Sequence, residues 1–405
     1  MSHRYVMLGA VARGRTVIAG LAPGQDVAAT IACLRAIGAA IAPTSPGGVR
    51  IDGRGWSGLH AATEPLDAAN SGTTLRLLAG LLAGRPFRTV LAGDASLSRR
   101  PMQRVIDPLA AMGAAITSSG GRAPLVIEGR PLHAIDWQSP VASAQVKSAI
   151  MLAAVSAAGV TRVTERLRTR DHTERAFPAF GLACITQDST VTVTGAQEAT
   201  APPAPLDVPG DPSSAAVWAA AAAGLAGGAV RVDGVGLNPR RLGFVRVLER
   251  MGAQVSIDRQ GERAGEPVGA LHVRHGGHAA VVIAPDDVPD LVDELPVLAA
   301  RAALGGSLEV SGAAELRVKE SDRITALVTG LRALGVQADE RPDGFIVDGR
   351  RRPTGGAVDA AGDHRLVMAF ALVGLGATGP TTIHDAGVVA VSYPDFERDL
   401  RALVT

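Results

Sequence analysis

A β-like tripeptide recurs along this chain at nearly constant spacing, and that recurrence restricts the fold more than any other feature. It reads Thr16-Val17-Ile18, Thr89-Val90-Leu91, Thr161-Arg162-Val163, Val230-Arg231-Val232, Leu308-Glu309-Val310 and Thr381-Thr382-Ile383, with starts 73, 72, 69, 78 and 73 residues apart. Alternating β-branched and polar residues beside Gly or Asp are the pattern of a half-buried strand. About one helix length later comes a second signature: Leu34-Arg35-Ala36-Ile37-Gly38, Leu109-Ala110-Ala111-Met112-Gly113, Phe177-Pro178-Ala179-Phe180-Gly181, Leu248-Glu249-Arg250-Met251-Gly252 and Leu331-Arg332-Ala333-Leu334-Gly335. Its apolar residues at i and i+3 pack one helix face, and its glycine ends the helix because the left-handed conformation costs it little. A strand signature then closes each copy: Val49-Arg50-Ile51, Leu125-Val126-Ile127, Val191-Thr192-Val193, Leu271-His272-Val273 and Phe345-Ile346-Val347. The order is strand, helix, strand, hairpin strand. Such a unit cannot bury its apolar face alone and must stack on its copies. Six opening tripeptides stand against five closings, so the last copy ends on a helix near Asp395 to Leu400 without its final strand.

Ala201-Pro202-Pro203-Ala204-Pro205 reads as a linker, since proline removes donors and fixes φ. It divides the 405 residues into two domains of three units each, 1–205 and 206–405. A net charge of +1 and an aromatic content of 3% give no reason to expect a nucleic acid or membrane partner. The most apolar run, Ala215 to Gly228, is too short and too rich in Ala and Gly to span a bilayer. Two cysteines, Cys33 and Cys184, fit buried free thiols in a reducing, cytoplasmic setting. Only two of the 40 basic residues are lysines, Lys147 and Lys319, so a lysine retained against this arginine bias is notable.

Three stretches put small polar residues just before apolar runs: Asn70-Ser71-Gly72-Thr73-Thr74-Leu75-Arg76, Ser143-Ala144-Gln145-Val146-Lys147-Ser148 and Val208-Pro209-Gly210-Asp211-Pro212-Ser213-Ser214. Residues of this kind cap helices, and the helix dipole with its spare N–H groups favours an anion there. Capping alone requires neither Gln145 nor Lys147. Ser98-Arg99-Arg100-Pro101 sets two cations before a helix, where the dipole repels them unless an anion offsets it; a solvated loop is the plain alternative. Glu315-Leu316-Arg317-Val318-Lys319-Glu320-Ser321-Asp322-Arg323 alternates in sign before an apolar helix. Solvated surface is the usual fate of such a run, yet it suits a site needing both an acid/base and phosphate clamps. Asp293 and Glu294 interrupt an apolar segment, either as desolvated functional carboxylates or as a cap. His364, in Asp363-His364-Arg365, and His172 read as supporting residues rather than nucleophiles. Gly374-Leu375-Gly376-Ala377-Thr378-Gly379 has dinucleotide-type spacing but follows a helix, not a strand, and His275-Gly276-Gly277-His278 lacks further sensibly spaced ligands.

Taken together the motifs resemble the enolpyruvyl transferase family over nearly the whole chain. The residues that carry the resemblance are Asn70-Ser71-Gly72-Thr73, Arg99-Arg100-Pro101, Ser143-Ala144-Gln145, Arg170-Asp171-His172-Thr173-Glu174-Arg175, Pro209-Gly210-Asp211, Leu316 to Arg323 and Asp363-His364-Arg365. The resemblance implies an α/β (α+β) fold of two similar domains, each of three βαβαββ units, of the inside-out α/β barrel type. It implies transfer of the enolpyruvyl group of phosphoenolpyruvate to the 5-hydroxyl of shikimate 3-phosphate, through a tetrahedral intermediate that releases phosphate. That step belongs to the shikimate pathway toward chorismate and aromatic amino acids. No metal or organic cofactor is implied, and the chain is expected to act as a monomer. By motif position, phosphoenolpyruvate would fall to Gly72, Arg100, Gln145, Arg323 and Arg365. Shikimate 3-phosphate would fall to Arg4, Ser143, Ala144, Gln145, Arg170, Asp293 and Lys319. Asp293 would take the 5-hydroxyl proton, and Glu320 would serve proton transfer at the methylene carbon. A polyanionic substrate pair needs fixed cations, and addition–elimination needs an acid and a base.

The family begins with an extended segment carrying Gly-[Asp/Ser]-Lys-Ser shortly before Ser-His-Arg, whereas these residues start at Met1-Ser2-His3-Arg4. That segment and its phosphoenolpyruvate lysine have no counterpart here. The expectation is a sixth unit lacking the strand the segment supplies and, if the protein truly lacks that segment, weak activity. Val391 stands where many members have lysine, and Ala144 and Glu315 replace polar residues of some members. Two alternatives use the same residues: a lyase eliminating water or phosphate from a shikimate derivative, and a weakly active or non-catalytic homologue. The family's UDP-N-acetylglucosamine branch fits less well, because no cysteine lies near Arg99-Arg100-Pro101.

Overall fold

The computed structural model describes residues 1–44 and 47–403. All six recurring tripeptides lie in strands: Arg13–Ala19, Arg88–Ala92, Val160–Glu165, Ala229–Gly236, Ser307–Val310 and Thr381–His384. The helix-ending glycines Gly38, Gly113, Gly181, Gly252 and Gly335 take φ of 98°, 96°, 69°, 98° and 81°. Each is in the region where a side chain would be strained, which is why the signature ends on glycine.

The second repeat shows the shared plan. Arg88–Ala92 pairs in parallel with Leu66–Asp67 and antiparallel with Arg122–Glu128, which carries Ala115–Ser119 on its far side. The third and fifth repeats keep this order. In the first, the parallel neighbour of Arg13–Ala19 is Leu206–Asp207, from beyond the proline linker. The fourth has a long hairpin, Gln254–Arg263 and Glu266–Arg274, which accounts for its 78-residue spacing. The sixth shows a parallel pair, Gly356–Asp359 with Thr381–His384. This is an α/β fold of mixed sheets and helices. One expectation needs correcting: among the described residues the strands form separate open sheets and no closed barrel. Strand pairing largely ends within each repeat, so no ladder runs on from one sheet to the next.

The chain packs as two compact units, Met1–Val208 with Arg263–Glu266, and Pro209–Glu262 with Pro267–Thr405. Each has its own apolar core. Each also contains three helices buried on nearly every side. In the first unit these are Ser2–Val11, Gly72–Ala83 and Ala144–Ala154. In the second they are Pro212–Gly224, Leu295–Ala303 and His364–Gly376. A helix that is apolar all round belongs in the interior of a domain. By contrast Gln25–Ala36, Gln103–Ala111, Gly243–Arg250 and Arg323–Ala333 bury one face and expose the other. Gly374 and Gly376 fall in the last turn of a buried helix that leads into a strand, the reverse of a dinucleotide turn. Cys33 is buried, and burial pushes its thiol up to about 12. Cys184 is only half-buried, contrary to expectation, because its strand is the outermost of its sheet. No described helix is long and apolar enough to cross a membrane.

Small residues let the inner helices touch backbone to backbone. A Cβ added at Gly80 would lie 2.1 Å from the carbonyl oxygen of Ala149 on the neighbouring buried helix. Gly80→Ala gains about 1 kcal/mol of helix propensity, but it must push a helix backbone aside, and overpacking of this kind costs about 1–3 kcal/mol. The collision is with backbone, so the cost wins, and urea unfolding should show the variant destabilised by about 1–2 kcal/mol. A variant as stable as the parent would mean that these two helices separate freely.

Candidate active site

Many of the motif residues stand at the N-terminal ends of helices, several of them buried helices. Ser71 caps Gly72–Ala83 by accepting from Thr74 N at 3.1 Å, and Ser143 caps Ala144–Ala154 by accepting from Val146 N at 3.4 Å. Asp211 accepts from Ser213 N at 3.1 Å, and Asp363 from Arg365 N at 2.9 Å. Two of these helices are entered by the same turn. Asp67 accepts from Ala69 N at 2.8 Å and Asp359 from Ala361 N at 2.7 Å, with Ala69 and Ala361 at φ of 49° and 52°. The local sequences, Asp67-Ala68-Ala69 and Asp359-Ala360-Ala361, are the same. Alanine in the left-handed region is strained, and here a carboxylate holds the strained turn in place.

In the first unit, two arginines overhang the start of the Gly72–Ala83 helix. A Cβ at Gly72 would lie 2.9 Å from Arg76 Nη1 and 3.4 Å from Arg100 Nη1, so glycine makes room for both. Arg100 is buried and donates to Asn70 Oδ1 at 2.6 Å. Gln145 accepts from Arg76 Nη1 at 2.5 Å and donates to Thr73 Oγ1 at 2.9 Å. Gly72, Arg100 and Gln145 are therefore brought together. Arg4 lies in the Ser2–Val11 helix and donates from Nε to Thr173 Oγ1 at 2.7 Å and from Nη2 to Ser148 Oγ at 2.9 Å. Burial lowers it to about 10, Glu174 opposes that shift, and Arg170 adds to it, so Arg4 and Arg170 share one electrostatic environment. Ser143 and Ala144 stand at the opening of the helix that also carries Gln145.

In the second unit, Arg323 starts the Arg323–Ala333 helix and is fully buried. It donates from Nε to Asp363 Oδ2 at 2.7 Å, pairs with Glu320, and holds Nη1 3.9 Å from Asp293 Oδ1. Burial works against its charge, but Asp363 and Glu320 outweigh that and raise it above the usual arginine value. Arg365 donates from Nη1 to the Asp293 carbonyl at 2.8 Å and holds Nη2 3.8 Å from Asp293 Oδ2. Lys319 lies 3.6 Å from Glu315, and its burial lowers it while Asp293 pulls it back up. Asp293, Lys319, Glu320, Arg323 and Arg365 thus form one constellation. Of the residues expected for shikimate 3-phosphate, Lys319 and Asp293 belong to the second unit and the others to the first.

Two further arginines, Arg76 at the end of the Asn70-Ser71-Gly72-Thr73-Thr74-Leu75-Arg76 stretch and Arg241, join these clusters without having been assigned to the site. Arg76 contacts Gln145, and Arg241 donates from Nη2 to Asp211 at 3.0 Å and to Ser213 at 2.6 Å. For Arg76 a signal exists, as a charge one turn into an otherwise apolar helix. For Arg241 nothing local distinguishes it from its neighbour Arg240. Val391 ends the short helix Ala386–Val391. Among the described residues no three or more His, Cys, Asp or Glu are arranged to hold a metal.

The sequence pattern of the EPSP synthase (3-phosphoshikimate 1-carboxyvinyltransferase) family matches residues 1–400. The chain is 48% identical over 397 residues to a 3-phosphoshikimate 1-carboxyvinyltransferase of Acidithiobacillus ferrooxidans, covering 98% of this chain and 91% of that one. It is 46% identical over 404 residues to the protein of that name from Gloeobacter violaceus, covering 99% and 93%. A solved structure of EPSP synthase from Acinetobacter baumannii superposes with a TM-score of 0.86 at 39% identity, covering 99% of this chain and 93% of that one. Sequence, fold and clustered cations agree that the chain belongs to the EPSP synthase family and is a carboxyvinyl transferase.

Proposed function

We propose that this chain transfers the enolpyruvyl group of phosphoenolpyruvate to the 5-hydroxyl of shikimate 3-phosphate and releases inorganic phosphate. The observation that carries this reading is Arg323. Its Nη1 is buried with no hydrogen-bond partner among the described residues, and it lies beside the Asp293 carboxylate. A buried donor left unmade costs stability, and an anionic substrate oxygen would satisfy it. In this reading Gly72, Arg100, Gln145, Arg323 and Arg365 hold phosphoenolpyruvate. Arg4, Ser143, Ala144, Gln145, Arg170, Asp293 and Lys319 hold shikimate 3-phosphate. Asp293, about 17% exposed and fixed by two arginines, accepts the 5-hydroxyl proton as the oxygen attacks. Glu320, paired to Arg323, handles the proton at the methylene carbon. The arginines hold the carboxylate and phosphate of phosphoenolpyruvate, which keep their charges through the tetrahedral intermediate, and they neutralise the phosphate as its C–O bond breaks and it departs.

Further parts of the proposal are two domains of three βαβαββ units, residues 1–205 and 206–405, supported by the proline linker and the matching repeats. The inside-out arrangement is supported by the three buried helices of each unit. A cytoplasmic setting is supported by the unpaired cysteines, and a monomer is carried over from the resemblance.

His364 ties stability to pH. Burial lowers its pKa below 6.5, and Arg365 adds to that. The unfolded chain therefore binds a proton that the native protein refuses, and native stability falls as pH drops below about 6.5. Replacing His364 with Gln should flatten the dependence of Tm on pH between about 5 and 7; an unchanged slope would assign it to other groups.

The central test is phosphate release from the two substrates together. Asp293→Asn and Glu320→Gln should each lower kcat about 10²–10⁴-fold while leaving Tm near that of the parent. Parent-like turnover in either variant would remove that carboxylate from the mechanism, and no phosphate release by the parent chain would sink the reading itself.

A further inference from the structure

Lys147 is one of two lysines in the chain and has no part in the reaction described above. It lies in the Ala144–Ala154 helix, two residues beyond Gln145, with its side chain 3% exposed. Its Nζ donates to Glu165 Oε2 at 2.7 Å and sits 2.8 Å from Glu174 Oε1. Glu165 is as dry as the lysine, and Glu174 is buried with 7% of its side chain exposed. Burial pulls the ammonium down, but Glu174 and Glu165 outweigh it, so Lys147 keeps its charge across the working pH range.

A buried ion cluster is weak evidence for stability, since apolar residues of the same volume do as well or better. Its worth lies in what it holds. Glu165 ends the Val160–Glu165 strand and accepts from Thr169 N at 3.3 Å and from the Thr169 hydroxyl. Thr169 is the residue before Arg170. Glu174 lies in the His172–Ala176 helix next to Thr173. Thr173 Oγ1 accepts from Arg4 Nε and lies 2.7 Å from Ser148 Oγ, which accepts from Arg4 Nη2. The ammonium thus stands between two arms. One fixes the backbone that presents Arg170, and the other fixes the hydroxyl that aims Arg4.

We propose that Lys147 is a positioning residue: by bridging Glu165 and Glu174 it sets Arg170 and Arg4 for the phosphorylated, hydroxyl-bearing substrate and leaves the grip on phosphoenolpyruvate untouched. The inference rests on the functional reading above. It also explains why lysine persists here in a chain that otherwise uses arginine. A compact ammonium with three donors fits between two carboxylates in a dry space, whereas the planar guanidinium is larger and directs its donors in a fixed fork.

The test uses the full chain as Lys147→Met, Lys147→Arg and Thr169→Val. The last leaves the ion pairs whole and removes one of the two hydrogen bonds, that of the hydroxyl, which join Glu165 to the Arg170 loop. Tm reports folding, calorimetry gives the Kd for shikimate 3-phosphate, and phosphate release gives KM for each substrate. Both Lys147 variants should raise Kd and KM for shikimate 3-phosphate about tenfold or more, with KM for phosphoenolpyruvate changed by less than about twofold. Thr169→Val should shift the same two constants by about threefold. Unchanged shikimate 3-phosphate binding in the folded variants overturns the proposal, as does a matched rise in both KM values, which marks general damage. Should Lys147→Met fail to fold, Thr169→Val decides by the same criteria. Failure of the parent chain to bind shikimate 3-phosphate would instead overturn the functional reading, and with it the substrate assigned here.

Discussion

A helix buried on every side has only its ends on which to present polar groups. That constraint organises each unit of this protein. Three helices per unit are enclosed by apolar contacts along their length, and their N-terminal turns carry Arg4, Gly72, Ala144, Ser213, Asp293 with Glu294, and Arg365. The same burial that excludes water from the helix sides leaves spare N–H groups and a partial positive charge at the ends. Such ends favour anions, and the caps Ser71, Ser143, Asp211 and Asp363 each accept from one of these N–H groups.

Arg323, which opens an amphipathic helix, and Arg4, in a buried one, differ in how they are held. Arg323 lies between Asp363 and Glu320, close to Asp293, and its own burial makes those contacts strong. Arg4 has hydroxyl partners, so its burial moves its pKa the opposite way, and the nearby charge of Arg170 adds to that shift. One arginine is locked by charge and the other is aimed by dipoles. A locked cation serves as a fixed electrostatic anchor. An aimed one depends on whatever holds the hydroxyls, which gives the Lys147 cluster its place in the first unit.

Much of this architecture is legible in the amino-acid order. The opening strands, the glycine-terminated helices and the hairpin closings repeat in sequence because each repeat solves the same local problem, burying one helix face on a short sheet. The motif residues are legible too, because small polar residues before apolar runs are what a buried helix start requires. Other features are not. The turns at Ala69 and Ala361 repeat as Asp-Ala-Ala, but alanine carries no propensity that announces a left-handed conformation. Lys147, Glu165 and Glu174 meet only after a strand, a loop and a helix have folded back on one another. Leu206–Asp207 joins the first sheet across nearly two hundred intervening residues, and no local pattern encodes that register. Strand closure into a barrel follows only from resemblance, whereas hydrogen bonding stops at the sheet edges.

The long hairpin of the fourth repeat has a consequence for dissecting the molecule. Its tip, Arg263–Glu266, packs with the first unit, where Glu266 is fully buried and lies 2.6 Å from His172 Nδ1, and where Tyr5 donates to the Ala264 carbonyl at 2.6 Å. A fragment cut at the proline linker would keep His172 and Tyr5 but lose the carboxylate and the carbonyl that meet them. The linker is therefore a boundary in the chain and not a seam in the structure. In halves exchanged between relatives at that point, the first unit would have its interior completed by the other parent's sequence, so compatibility at four residues, far from the junction, would bear on whether such chimaeras fold.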